Sequence, residues 1–285
     1  TTFRGTFNGN GHTISGVNIT QTNSSTAGLF ASNSGTIKNL GVVNVNIDVN
    51  KNNAGAISGN NSGTIQNCYS TGMIKNNNTG SSASTGGLVG YCSGNIYDSY
   101  SMANITGNAY VGGLIGNKYD GVAVRCYSTG TIASSSSYAG GLVGYCPFGE
   151  IRFCYYDMST SKMGDTGKGY LKTTQDMKSQ NTYYAWDFNN VWAIDTNNGG
   201  YPYLIFGERE RITVDGAGTE LNPYIIENEA QLAAIENKEY TNYNTAYYEL
   251  ANDIVLTAND WTPIGSDTTF RGTFNGNGHT ISGVN

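Results

Sequence analysis

The chain has 285 residues and a mass of 30.4 kDa, with glycine at 39 positions, charged residues at 13% and a formal net charge of −6. So acidic a chain is a poor partner for nucleic acid or an anionic membrane surface, and no apolar run approaches the eighteen or so residues of a membrane span. Abundant Gly, Asn, Ser and Thr point instead to a turn-rich β protein.

Residues 1–18 read as a coil of short strands around a tight turn at Asn8-Gly9-Asn10-Gly11, where Asn and Gly supply positive φ. His12 follows, and it and His279 are the two histidines of the chain. A lone His beside a glycine turn reads as a hydrogen-bonding turn residue, because a base or metal ligand would need partners.

Residues 19–157 write one block five times: Gly28-Leu29-Phe30-Ala31, Gly55-Ala56-Ile57-Ser58, Gly87-Leu88-Val89-Gly90, Gly113-Leu114-Ile115-Gly116 and Gly141-Leu142-Val143-Gly144, at steps of 27, 32, 26 and 28 residues. A second block trails each copy, beginning at Gly35, Gly63, Gly94, Gly121 and Gly149, and three residues past its apolar member come Leu40, Cys68, Ser99, Cys126 and Cys154. Two brief apolar runs per period leave room for strands and turns but not for a helix. The pattern predicts an all-β fold, a right-handed parallel β-helix (β-solenoid) with short lateral helices and an aromatic-rich flap. Equivalent residues should lie about 4.8 Å apart on successive coils, so that Leu29, Ile57, Leu88, Leu114 and Leu142 touch in succession along one core.

The same alignment predicts side-chain ladders. Asn39, Asn67, Asp98, Arg125 and Phe153 form one, which sets Asp98 against Arg125; if exposed, that pair contributes at most about 1 kcal/mol. Gly41, Tyr69, Tyr100, Tyr127 and Tyr155 form another. Its four tyrosines are either a packing ladder or an aromatic platform for sugar rings, with packing the better reading. Cys68, Cys126 and Cys154 fall at an inward position, while Cys92 and Cys146 share another. With an odd number and no Cys-x-x-Cys pair, the five read as buried reduced thiols rather than a zinc site or a disulfide frame.

These blocks resemble the bacterial GLUG-motif repeat, named for its Gly-Leu-hydrophobic-Gly core. Matching elements flank them, among them Asn222-Pro223-Tyr224, Trp261-Thr262-Pro263-Ile264-Gly265 and Phe274-Asn275-Gly276-Asn277-Gly278-His279 on one side, and Trp186-Asp187-Phe188 and Tyr201-Pro202-Tyr203-Leu204 on the other. The resemblance implies a large multi-module bacterial protein of the cell surface or the secreted fraction, and it implies no reaction. Phe30-Ala31 and Ala56-Ile57-Ser58 depart from the motif's terminal glycine but keep its apolar centre.

Residues 158–212 break the period. A helix should start near Thr174 with Thr173 or Thr174 as cap, followed by Tyr183, Tyr184, Trp186, Phe188, Trp192, Tyr201 and Tyr203, read as a flap that covers an open strand edge. Gly164-Asp165-Thr166-Gly167-Lys168-Gly169 lacks Walker A spacing and is not a phosphate loop. Residues 213–285 begin with a short helix, Glu229 to Ile235, capped by Asn228, then strands at Tyr247–Leu250 and Ile254–Leu256. Residues 1–18 recur without change as 268–285, 267 positions later. The expected organisation is therefore a window on tandem 267-residue modules: coils over 1–157, a closing segment over 158–212 and the start of an identical module over 213–285.

The reading that follows is a stalk or filament module, a non-catalytic spacer that holds something else away from the cell and self-associates into fibres. Its expected partners are neighbouring identical modules. A second reading is an adhesin or carbohydrate-binding module whose exposed ladder Tyr69, Tyr100, Tyr127 and Tyr155 binds cell-surface glycans. A third, polysaccharide lyase or glycosidase, needs clustered carboxylates, whereas Asp98, Asp120, Arg125, Arg152 and Asp157 are scattered over different ladder positions. No residue set asks for a metal or a cofactor; Asp195 and Asp215 carry oxygen ligands in turns, which turn formation explains without calcium.

Overall fold

The computed structural model describes residues 1–20, 23–164, 168–205, 215–236, 242–256, 261, 263–266 and 269–283. The protein is a parallel β-solenoid of about nine turns with few short helices. Its chain divides into two compact units, Thr1–Glu208 and Arg209–Asn285.

In the first unit each coil contributes to three parallel sheets. One stacks Thr26–Ala27, Asn53–Ala54, Ser84–Gly86, Tyr110–Gly112 and Ala139–Gly140; the second stacks Phe30–Asn33, Ser58–Asn61, Val89–Cys92, Ile115–Lys118 and Val143–Tyr145. The third holds the long runs Thr36–Val49 and Thr64–Asn76 and the shorter strands of later coils. Register follows the sequence ladders, as Thr36 pairs with Thr64, Thr64 with Asn95, and Tyr69 with Tyr100.

The Gly-Leu-hydrophobic-Gly blocks lie above one another as their spacing requires. Ile57, Leu88, Leu114 and Leu142 are fully buried in one core, against which half-buried Leu29 packs. The Leu88 N–H donates to the Leu114 carbonyl at 2.9 Å and the Leu114 N–H to the Leu142 carbonyl at 2.8 Å. Each such side chain contributes roughly 1.5–3 kcal/mol of burial, which no single coil could collect without its neighbours.

One geometric detail explains the three-residue spacing in the third sheet. A strand alternates faces with period two, so residues i and i+3 ordinarily point to opposite sides. Here Asn39, Asn67, Asp98, Arg125 and Phe153 all adopt left-handed backbone, with φ of 53°, 50°, 45°, 53° and 54°. That bend resets the alternation, so Ile37 with Leu40 and Ile65 with Cys68 all enter the core. Asn and Asp tolerate this conformation; Arg and Phe adopt it at a steric cost that the stack on either side must offset.

All five cysteines are free thiols, four of them buried and Cys146 half-buried. Burial pushes the Cys68 thiol up to about 12 and raises Cys126 as well, so they behave as small hydrophobes. The expected helix is present over Thr174–Met177, with Thr173 and Asp176 forming a reciprocal capping box. A second one, over Met158–Ser161, is capped by Asp157 and was not foreseen from the pattern. Asp165, Thr166 and Gly167 of the rejected phosphate loop lie outside the described residues; Lys168 donates to the Gly144 carbonyl at 2.7 Å.

The second unit holds a parallel sheet of Tyr224–Ile226, Tyr247–Leu250 and Thr273–Asn275, with Ile254–Val255 pairing Ile281–Ser282. Its helix Glu229–Glu236 is capped by the Asn228 carboxamide, which accepts from the Gln231 N–H at 3.0 Å. Leu232, Ala234 and Ile235 pack with Ile226, Tyr248 and Leu250.

Candidate functional site

The tyrosine ladder forms in the predicted register. The rings of Tyr69 and Tyr100 stack at 4.9 Å and 8°, and those of Tyr100 and Tyr127 at 4.8 Å and 7°. Tyr69 is half-buried and lies over Gly41, whose missing side chain leaves room for the ring. The expectation of an exposed platform is corrected: Tyr100, Tyr127 and Tyr155 are only 4%, 0% and 5% exposed.

The cover is the segment that breaks the period. Trp186, Trp192, Tyr183, Tyr201 and Leu204 join the three tyrosines in a second apolar cluster. The Trp186 and Trp192 ring centroids are 4.3 Å apart, and Trp192 lies 6.1 Å from both Tyr100 and Tyr127. Polar tips on each side of this seam are satisfied by backbone carbonyls of the other. The Tyr127 hydroxyl donates to the Pro202 carbonyl at 2.6 Å, and the Trp186 indole N–H donates to the Phe153 carbonyl at 2.9 Å. Asp157 gathers Tyr201 and Thr174 on Oδ2, each at 2.7 Å, while its Oδ1 accepts from the Ser159 and Thr160 N–H groups. Asp195 accepts from the Asn197 N–H and the Tyr203 hydroxyl, both at 2.7 Å, and so serves the turn.

These phenols predict an alkaline transition. Burial, reinforced by the Asp157 carboxylate, pushes Tyr201 up to about 12, and burial raises Tyr100, Tyr127, Tyr155 and Tyr183 too. A phenol whose folded pKa lies above its unfolded value near 10 contributes stability that is complete below about pH 10 and is lost as pH rises through the folded value. The flap cluster should therefore open at or above about pH 12, with the rise in tyrosinate absorbance coinciding with loss of the tryptophan near-UV signal. A smooth titration centred near pH 10 would show these rings already in water.

Asp98 and Arg125 meet as the ladder predicts, through two hydrogen bonds of 2.6 Å each. The condition of exposure is not met at the acidic end, since the Asp98 side chain is 4% exposed beneath Trp192, whose indole N–H donates to it at 3.4 Å. Below it runs an amide ladder: Asn39 donates to Asn8, and Asn67 to Asn39, both at 3.1 Å. Asp98 has no N–H to pass on, and the Asn67 side-chain oxygen is buried without a described partner. Arg125→Ala strands a buried carboxylate and should cost about 3 kcal/mol. Asp98→Asn gives Asn67 a donor while losing the charge pair, and should cost less than about 2 kcal/mol. Urea midpoints check the order; the reverse order would show the ion pair, not the amide ladder, governing this corner.

Two features escaped the sequence reading. Lys118 is fully buried and donates to the carbonyls of Gly94, at 2.7 Å, and Asp120; burial holds its amine below the ordinary lysine value. It stands in register with Asn61 and Cys92, so a column alignment could have placed it inside. Aromatics that are exposed or half-buried also pair elsewhere on the solenoid. Tyr91 stacks on Tyr119 at 5.8 Å, Phe148 meets Tyr119 edge-on at 5.4 Å, and Tyr110 stacks on Tyr145 at 4.7 Å. Phe148 is 70% exposed, and Tyr91 borders a shallow depression with Ser32, Asn60 and Ser93.

No family model matches the chain. A stretch of 100 residues is 38% identical to a protein named "Putative Gly-rich membrane protein" from Evansella cellulosilytica, covering 33% of this chain and 11% of that protein. Another of 145 residues is 38% identical to halomucin from Haloquadratum walsbyi, covering 50% of this chain and 2% of halomucin. The chain thus spans a small part of either relative. In three dimensions it resembles the crystal structure of a "putative immunoglobulin A1 protease" from Bacteroides ovatus, with a TM-score of 0.57 and 22% identity over 71% of this chain and 77% of that one. At that identity the likeness shows the fold alone. The chain is a parallel β-solenoid with distant homology to segments of far longer proteins, one named for a membrane and one halomucin.

Proposed function

We propose that this chain is a structural module, a non-catalytic stalk or filament segment of a long repetitive bacterial protein at the cell surface. The observation that carries this reading is that the ladder side chains are spent on the fold itself. Tyr69, Tyr100 and Tyr127 stack on one another, and Tyr100, Tyr127 and Tyr155 are sealed by the chain's own aromatic flap. Carboxylates that a lyase or glycosidase would use have structural partners, Asp98 with Arg125 and Asp157 with Tyr201, Thr174 and a helix start. The Gly-Leu-hydrophobic-Gly blocks support membership among GLUG-type repeats. The names of the two relatives, together with their length relative to the matched segments, support a surface setting.

A glycan-binding role is the second reading, and the partly exposed strip in which half-buried Tyr91 stacks on exposed Tyr119 favours it over the sealed ladder, since sugar rings need an open aromatic face. A glycan array with the wild type and Tyr119→Ala distinguishes the two. The spacer reading expects no retained glycan, whereas binding lost on Tyr119→Ala would transfer the function to this strip. Release of reducing ends from polysaccharide would overturn both in favour of an enzyme.

A further inference from the structure

The sequence shared by residues 1–18 and 268–285 occurs in two surroundings, and these use opposite halves of its bonding capacity. In the first copy the partner is the following coil. Thr6–Asn8 pairs with Thr36–Lys38, and Thr13–Ser15 with Gly41–Val43. In the second the partner is the preceding coil. Thr273–Asn275, equivalent to Thr6–Asn8, pairs with Tyr247–Glu249, and Ile281–Ser282, equivalent to Ile14–Ser15, pairs with Ile254–Val255.

The hydrogen bonds interleave without overlap. In the first copy the Phe3 N–H donates to Ser32, the Gly5 carbonyl accepts from Thr36, the Gly9 N–H donates to Lys38, the His12 carbonyl accepts from Gly41, and the Gly16 N–H donates to Val43. In the second copy the N–H groups of Arg271 and Thr273 donate to Asn244 and Ala246, while the carbonyls of Thr280 and Ser282 accept from Ile254 and Leu256. Transposed to the first copy, these are Arg4, Thr6, Thr13 and Ser15, none of which is in the first set. A central strand of a parallel sheet divides its groups between two neighbours in this way. Side chains divide likewise: the Asn8 oxygen accepts from Asn39 at 3.1 Å, whereas the equivalent Asn275 uses its amide N–H on Glu249 at 3.2 Å.

We propose that this repeated sequence is an interior coil of one solenoid, and that the edge of residues 1–18 turned away from Thr36–Val49 receives the strands Tyr247–Leu250 and Ile254–Val255 of a second copy of this module. The second copy then sets its Glu249 against Asn8 and its Asp253 against His12, as Glu249 meets Asn275 and Asp253 meets His279 at 3.4 Å within one unit. This goes beyond the spacer reading and can fail separately from it; a bound glycan or an enzymatic activity would end that reading and leave this pairing intact.

Residue-resolved hydrogen exchange tests it, comparing the 285-residue chain with a two-module chain in which residues 19–285 are repeated after Asn285. In the shorter chain the Gly9, Gly11 and Gly16 amides should be protected and those of Arg4 and Thr6 not, while Arg271 and Thr273 are protected and Gly276, Gly278 and Gly283 are not. In the two-module chain, all five of the latter amides should be protected. Gly276, Gly278 and Gly283 should slow by at least about a hundredfold relative to the shorter chain. If the central coil keeps the pattern of either terminal copy, or loses protection in both sets, the proposal is overturned. A chain ending at residue 267 separates a neighbour in the same chain from one in another. Growth of its mass with concentration by whole chains places the pairing between chains as well, and a monomer restricts it to modules of one chain.

Discussion

Trp192→Ala is expected to remove about 3–5 kcal/mol from the unfolding free energy of the first unit, the range for emptying a buried tryptophan site. The side chain is fully buried, lies against Trp186, Tyr100 and Tyr127, and reaches Asp98 through its indole N–H. Its loss removes apolar cover from two rungs of the tyrosine ladder at once and takes a donor from a buried carboxylate. The damage should be local in geometry but visible everywhere in the flap. Limited proteolysis should cut within residues 170–205 at a protease concentration that leaves the wild type intact, and an apolar dye should bind the uncovered rings. The alkaline transition should move down from about pH 12 toward the ordinary phenol value as the rings gain water. Trp192→Phe retains most of the packing and loses the indole donor, so it separates the two contributions. An unchanged denaturation midpoint for Trp192→Ala would show that the flap adds nothing to the solenoid beneath it.

The ladder was legible in the sequence and its cover was not, for a physical reason. Tyr69, Tyr100, Tyr127 and Tyr155 hold the same place in successive periods, and stacking at one rung spacing follows from periodicity alone. The flap has no period, and its docking partner lies far away along the chain: Trp192 meets Asp98 across 94 positions. Aromatic composition indicated a covering segment but not which row it covers. The left-handed corner was half legible. Asn39, Asn67 and Asp98 are residue types that favour such backbone, whereas Arg125 and Phe153 do not announce it and adopt it because the coils on either side impose the path. Lys118 shows the converse failure. A lysine reads as a surface cation, and only its register with Asn61 and Cys92 carries it inward, where carbonyl oxygens of Gly94 and Asp120 take up its ammonium.

Gly113→Ala should be at least as damaging as Leu114→Ala, although it adds one methyl group and removes nothing. Truncating fully buried Leu114 deletes contacts and leaves a cavity, for about 2–5 kcal/mol. A Cβ on Gly113 would overlap the carbonyl oxygen of Gly141 on the next coil and crowd the Ser128 hydroxyl. Because one obstacle is backbone, no rotamer change relieves it; two coils must separate, which strains the Leu114 and Ile115 N–H bonds to the Leu142 carbonyl at 2.8 and 3.1 Å. Overpacking typically costs about 1–3 kcal/mol, and more where the neighbour cannot yield. In a stack whose coils touch only their neighbours, such a wedge weakens one interface and leaves two shorter blocks. The expected signature is therefore a lower midpoint together with loss of a single cooperative transition, accompanied by faster exchange of the Leu114 and Ile115 amides. Gly164→Ala is the control, since nothing lies within 4 Å of a Cβ there, and it should shift stability by less than about 0.5 kcal/mol. Equal behaviour of the two variants would mean that the coils near Gly113 stand further apart than the bonded rungs require, and the close stacking on which the spacer reading rests would fail with it.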